Sequence, residues 1–120
     1  MLSNKVLVVD DSPTDLKRLT TIISDAGCTV VCAGSGREAL EKAKTERPDV
    51  IFLDIIMPDM DGFEACRSLT GDSQTKNIPV IFVTSKNQKA DRVWAKMQGG
   101  QALVAKPYEA EEILDQLQAI

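Results

Sequence analysis

The chain contains no histidine. That removes Ser-His and Cys-His nucleophilic machinery and excludes the chain as a phosphohistidine donor. Cysteine is scarce as well, and three residues, an odd number, cannot make a complete disulfide framework. Cys28 and Cys32 lie in the strand-like run Cys-Thr-Val-Val-Cys, which would hold them about 13 Å apart. That is too far for a disulfide, so reduced cysteines and a cytoplasmic location are expected. There is no excess of positive charge: 14 Lys and Arg stand against 18 Asp and Glu, which argues against a nucleic-acid partner. No apolar run approaches membrane-spanning length, so no membrane insertion is expected. Met1 to Lys5 leads into only four apolar residues before two aspartates, which does not read as a secretory leader. No glycine-rich nucleotide loop occurs, so ATP is not a direct substrate. No linker, repeat or low-complexity stretch divides the chain, and its length suits one domain over residues 1–120.

What is present is organised around Val50-Ile51-Phe52-Leu53-Asp54. A short, continuous apolar run predicts a strand buried on both faces, as in a parallel sheet. Asp54 then sits at its carboxyl end, where ligands bind in open α/β sheets. Lys5 to Val9 predicts a first strand ending at Asp10-Asp11. Ser12, Pro13 and Asp15 form a capping-box start for a helix that Gly27 closes. Thr29 to Ala33 predicts the second strand. Ser35 and Glu38 predict another cap, with a helix from Gly36 to about Lys44 whose apolar face is Ala39, Leu40 and Ala43. Asp61-Gly62 belongs to a turn before a helix with Phe63, Cys66 and Leu69 on one side. Gly71 to Asn77 reads as a polar loop, and Pro79 opens a fourth strand that runs into Thr84. Asp91 to Gln98 predicts a helix with Val93, Trp94 and Met97 clustered. Leu103 to Ala105 predicts a fifth strand stopping at Lys106-Pro107, and Glu109 to Ile120 a last helix. Strict alternation of five strands and five helices predicts a doubly wound, five-stranded parallel sheet of order 2-1-3-4-5, flavodoxin-like.

In that topology one sheet edge collects Asp10, Asp11, Asp54, Thr84 and Lys106. Two carboxylates about 4 Å apart repel by roughly 4 kcal/mol at an effective dielectric of 20. A hard divalent cation offsets such repulsion, and Mg²⁺ is held by one or two carboxylates with waters and phosphate oxygens. The metal, Lys106 and the Thr84 hydroxyl together would support phosphoryl transfer to a carboxylate, and Asp54 is the best-placed nucleophile. Taken singly, Asp10 and Asp11 could simply cap a helix, and Lys106 could be a solvated loop charge. A flavin-binding protein of the same fold would need a phosphate-cradling loop after the first strand, where two carboxylates stand instead. A haloacid-dehalogenase-type phosphatase would want a second aspartate at the position of Ile56.

The motifs Val8-Val9-Asp10-Asp11-Ser12, Leu53-Asp54-Ile55-Ile56-Met57-Pro58 with Asp61-Gly62, Val83-Thr84-Ser85 and Lys106-Pro107 resemble those of response regulator receiver domains (CheY-like) of two-component systems. The resemblance spans the chain. It implies phosphorylation of Asp54 by a partner histidine kinase. It implies Mg²⁺ ligation by Asp11, Asp54 and the Ile56 carbonyl, with Asp10 acting through water, and binding of phosphoryl oxygens by Thr84 and Lys106. No effector segment follows in the sequence, so a stand-alone signalling phosphoacceptor, not a conventional enzyme, is expected, as a monomer or weak dimer. The stretch Asp91 to Gly99 resembles twitching-motility regulators of the PilH kind, which serve type IV pili, and implies a downstream motility or pilus target. Alternatives within the family are a degenerate receiver used as a binding module and a phosphate sink for another regulator. One departure concerns the switch: receivers usually carry Tyr or Phe where this chain has Leu103.

Overall fold

The computed structural model describes residues 4–120. The reading of the amino terminus as no leader falls largely on residues 1–3, outside the described residues. The elements are β1 (Lys5–Val9), α1 (Pro13–Asp25), β2 (Thr29–Ala33), α2 (Gly36–Glu46), β3 (Val50–Leu53), α3 (Gly62–Gly71), β4 (Val80–Thr84), α4 (Lys89–Met97), β5 (Ala102–Ala105) and α5 (Ala110–Gln118). All pairings are parallel, in the order β2-β1-β3-β4-β5 that the alternation predicts.

The sheet is central because its middle strands are apolar on both faces. Leu7, Val9, Ile51, Leu53 and Phe82 pack on one side with residues of α2, α3 and α4. Val6, Val8, Val50, Phe52, Ile81 and Val83 pack on the other with residues of α1 and α5. This is the two-residue period of a strand dividing one run between two helical layers.

Helix ends follow local chemistry. Ser12 Oγ accepts the Asp15 N–H at 3.4 Å and Ser35 Oγ the Glu38 N–H at 3.1 Å. Neither capping box closes as expected, however: Glu38 accepts instead from the Gly34 N–H at 2.7 Å, and the Ser12 N–H goes to Asp10 Oδ1 at 2.9 Å. Gly27 adopts a left-handed φ of 97° after α1, the conformation glycine reaches at no steric cost. The expected polar loop from Gly71 is partly a correction. Gly71 ends α3, and Thr75 is buried with its hydroxyl donated to Leu69 O at 2.6 Å. Val93, Trp94 and Met97 do cluster, but they face outward at 52, 45 and 67% exposure, and Ala95 is the buried residue of α4. All three cysteines are free.

Candidate functional site

Register places the site. Val9 pairs with Leu53, so the residues that follow them, Asp10 and Asp54, leave neighbouring strands side by side. The Asp54 N–H still donates to Val9 O at 3.0 Å, and the Asp10 N–H to Ala33 O at 3.2 Å, so both backbones stay tied to the sheet. Thr84 pairs with Ala105, and the Lys106 N–H donates to Thr84 O at 2.9 Å. The five predicted residues therefore meet at one edge.

Oxygens of Asp10, Asp11 and Asp54 lie within 4.8 Å of one another, with Asp10 and Asp54 buried and Asp11 exposed. Lys106 Nζ bridges the acids, 2.8 Å from Asp10 Oδ2 and 3.0 Å from Asp54 Oδ2. A third acceptor, Asp15 Oδ2, stands 3.0 Å from the same nitrogen. Sequence reading assigned Asp15 to the helix cap and missed this role. The available signal was its place four residues after Asp11, one turn into a helix that starts at the sheet edge. Asp54 Oδ1 accepts the N–H groups of Ile55 at 2.6 Å and Ile56 at 3.3 Å, which fixes the carboxylate's orientation. The side chain of Ile56 is exposed.

The electrostatics reflect a buried acid pair sharing one cation. Burial holds the Asp10 carboxyl above its ordinary range, against the lowering effect of hydrogen bonds from Lys106 and Ser12, and the Asp54 charge adds to the rise. Burial alone would lower the pKa of the Lys106 ammonium, but hydrogen bonds to Asp10, Asp54 and Asp15 outweigh it and raise it. The residues suit a hard cation: three carboxylates on one edge, two of them desolvated, are a donor set that Mg²⁺ prefers.

Two backbone features shape the floor and rim. A Cβ on Gly62 would meet the Asp54 carbonyl oxygen at 2.2 Å, so only glycine lets α3 start this close to the end of β3. The Gly62 N–H donates to Ile55 O at 2.8 Å. Thr84 is fully buried, and its Oγ1 accepts the Lys86 N–H at 3.2 Å. Lys86 in turn pairs with Asp91 on α4 at 3.1 Å, and Asp91 accepts the Gln88 N–H at 3.0 Å. Leu103 is not at the site. It is half-buried on β5, lines a groove of about 350 Å³ with Arg92 and Val93, and its carbonyl accepts from Arg92 at 3.2 Å.

A five-stranded 2-1-3-4-5 parallel sheet with paired aspartates after β1, one after β3 and a lysine after β5 defines a class of signalling phosphoacceptor. The chain belongs to it: residues 6–118 match the response regulator receiver domain family. Receiver domains of two-component systems are phosphorylated by histidine kinases and are signalling modules, not enzymes in the usual sense. Among its relatives is protein PilH of Pseudomonas aeruginosa, 42% identical over 116 residues, which cover 97% of this chain and 96% of that one. The chemotaxis protein CheY4 of Vibrio cholerae has a matching structure, with TM-score 0.92, 36% identity and 98% of each chain covered. The receiver domain of the sensor histidine kinase PA1611 from Pseudomonas aeruginosa, whose structure has magnesium in its active-site cleft, matches with TM-score 0.90 and 26% identity over 98% of this chain and 96% of that one.

Proposed function

We propose that this chain, as a single receiver unit over residues 1–120, accepts a phosphoryl group on Asp54 from the phosphohistidine of a partner kinase and passes the signal to a motility or pilus target. The observation that carries the acceptor assignment is one ammonium, Lys106, touching both Asp10 and Asp54 while Asp11 lies within reach of the same pair. In the transfer, an Asp54 carboxylate oxygen forms the new P–O bond as the P–N bond breaks. The electron pair stays on the donor imidazole. Asp11, Asp54 and the Ile56 carbonyl, with Asp10 through water, would hold Mg²⁺, which when bound neutralises charge on the phosphoryl oxygens. Lys106 offsets part of the remaining negative charge.

Phosphorylation adds about −1.5 to −2 charge and three acceptor oxygens. The Thr84 hydroxyl gains a charge-assisted hydrogen bond by turning towards them. In doing so it leaves the Lys86 N–H, and Lys86 is the residue tied to Asp91 in the first turn of α4. That gives the site a route to α4 and β5. The similarity to PilH supports a pilus or chemotaxis-like output, and three free cysteines suit the reducing cytoplasm.

Intact-mass measurement after incubation with acetyl phosphate and Mg²⁺ tests the assignment. Wild type should gain one phosphoryl group and Asp54→Asn none. Equal labelling of the Asn variant would sink it.

A further inference from the structure

Lys106 has three N–H donors. In this structure carboxylate oxygens take all of them: Asp10 Oδ2 at 2.8 Å, Asp15 Oδ2 at 3.0 Å and Asp54 Oδ2 at 3.0 Å. An ammonium so saturated can bind an oxygen of an incoming phosphoryl group only by giving up a partner.

The three partners are not equally easy to give up. Asp10 is buried, and its other oxygen accepts the Ser12 N–H at 2.9 Å. Asp54 is buried, and its other oxygen accepts two backbone N–H groups. In the metal-free resting site, pulling the cation from either would leave a desolvated carboxylate without its counter-charge, which is costly. Asp15 differs on each point. Its side chain is 45% exposed. Among the described residues its carboxylate is hydrogen-bonded to Lys106 alone. It borders an open hollow with Arg18, Ser85, Pro107 and Tyr108, so water can hydrate it when it leaves. The nearby cation that could hold it back is engaged elsewhere. The Arg18 guanidinium lies 5.1 Å over the Tyr108 ring and donates to Tyr108 O at 3.0 Å.

We propose that Asp15 is a positioning residue of the phosphoacceptor site: a detachable carboxylate that occupies the third donor of Lys106 at rest and yields it to a phosphoryl oxygen. This rests on Asp54 being the acceptor. The exchange slows phosphoryl capture, because a charged contact must break before the ammonium can turn its donor to the anion. Removing Asp15 leaves that donor already free. The residue thus sets how readily the resting site takes up phosphate, without touching the reacting atoms itself.

The full-length protein tests this with two readouts. In the metal-free state, ¹⁵N spectra of the lysine ammonium groups should show the Lys106 signal protected from hydrogen exchange in wild type and lost or broadened in Asp15→Ala. With acetyl phosphate and Mg²⁺, the rate of labelling by intact mass should rise about five-fold in Asp15→Ala and Asp15→Asn, the size expected for one half-exposed charged contact. Asp15→Glu, which keeps the charge, should stay near the wild-type rate. An unaltered Lys106 signal in Asp15→Ala, or labelling no faster in the Ala and Asn variants, overturns the proposal while leaving Asp54 as the acceptor. Labelling that persists in Asp54→Asn overturns the acceptor assignment and this inference with it.

Discussion

The β1–β3 half of the sheet and the α4–β5 edge are held in very different ways. Val6 to Val9 and Val50 to Leu53 are buried throughout, and α3 buries five residues against them. At the other end α4 buries only Ala95 and β5 only Val104. What holds α4 is mostly polar: Asp91 pairs with Lys86 at 3.1 Å, Arg92 donates to Leu103 O at 3.2 Å, and Gln98 accepts from Arg67 at 2.9 Å and from the Cys66 thiol at 3.3 Å. Trp94 adds one edge-on contact with Phe63, ring centres 6.4 Å apart. Regions with few buried apolar contacts open locally at lower free energy than the core. The proposed acceptor Asp54 and the neighbouring acids Asp10 and Asp11 therefore belong to the rigid half. Lys106 reaches them from the end of β5, so its ion pairs link the deeply buried half to the sparsely packed edge.

The comparison breaks most visibly if core truncation and edge truncation cost the same. Phe52→Ala, in the fully buried centre of β3, should lose about 3–5 kcal/mol by urea unfolding. Trp94→Ala should lose about 1 kcal/mol, the scale of one aromatic contact and partial burial. Comparable losses would show that α4 is as firmly built in as β3. Native-state hydrogen exchange sharpens the same contrast: amides of α4 and β5 should exchange through local opening, and those of β1 and β3 only with global unfolding. Equal protection across the sheet would contradict it.

A smaller effect comes from charge in the rigid half. Burial raises the Asp10 pKa in the folded protein, so its contribution to stability is fully present below the unfolded carboxyl pKa and is lost as pH rises through the folded value. Metal-free Asp10→Asn should consequently melt above wild type at about pH 7, and the gap should close towards about pH 3. A variant that melts lower at neutral pH would mean that the Lys106 pairing outweighs the desolvation. The smallest expected effect lies at the edge. Leu103 lines a groove with α4 that has room for a ring, so Leu103→Tyr should change stability by less than about 1.5 kcal/mol. With a beryllofluoride phosphoryl mimic, amide NMR shifts around Trp94 should be larger in the Tyr variant than in wild type. Identical shifts would make Leu103 ordinary packing.

Much of this molecule is legible without coordinates. Unbroken apolar runs ending in Asp10, Asp54 and Thr84 announce parallel strands, because only a sheet covered on both faces buries every residue of a run. Alternation then sets strand order, and strand order brings the carboxylates together. The observed strands confirm this, with β2 as expected and β5 one residue longer. Short-range chemistry was less decisive. Ser12 and Asp15 have the spacing of a capping box, yet the Ser12 N–H is taken by Asp10, and Asp15 is drawn to Lys106, 91 positions along the chain. The outward face of Trp94 is likewise invisible in a pattern that fixes which residues share a side and not which side meets the core.

By itself, then, the sequence determined the fold and the acidic edge, because both follow from hydrophobic periodicity and the few ways parallel strands connect. Tertiary structure alone decided how the charges are shared: Lys106 divided among three acids, Thr84 tied to Lys86, Asp54 oriented by two backbone N–H groups. Hydrogen bonds and ion pairs depend on separations of about 3 Å between groups far apart in the chain, and no local pattern encodes a distance of that kind.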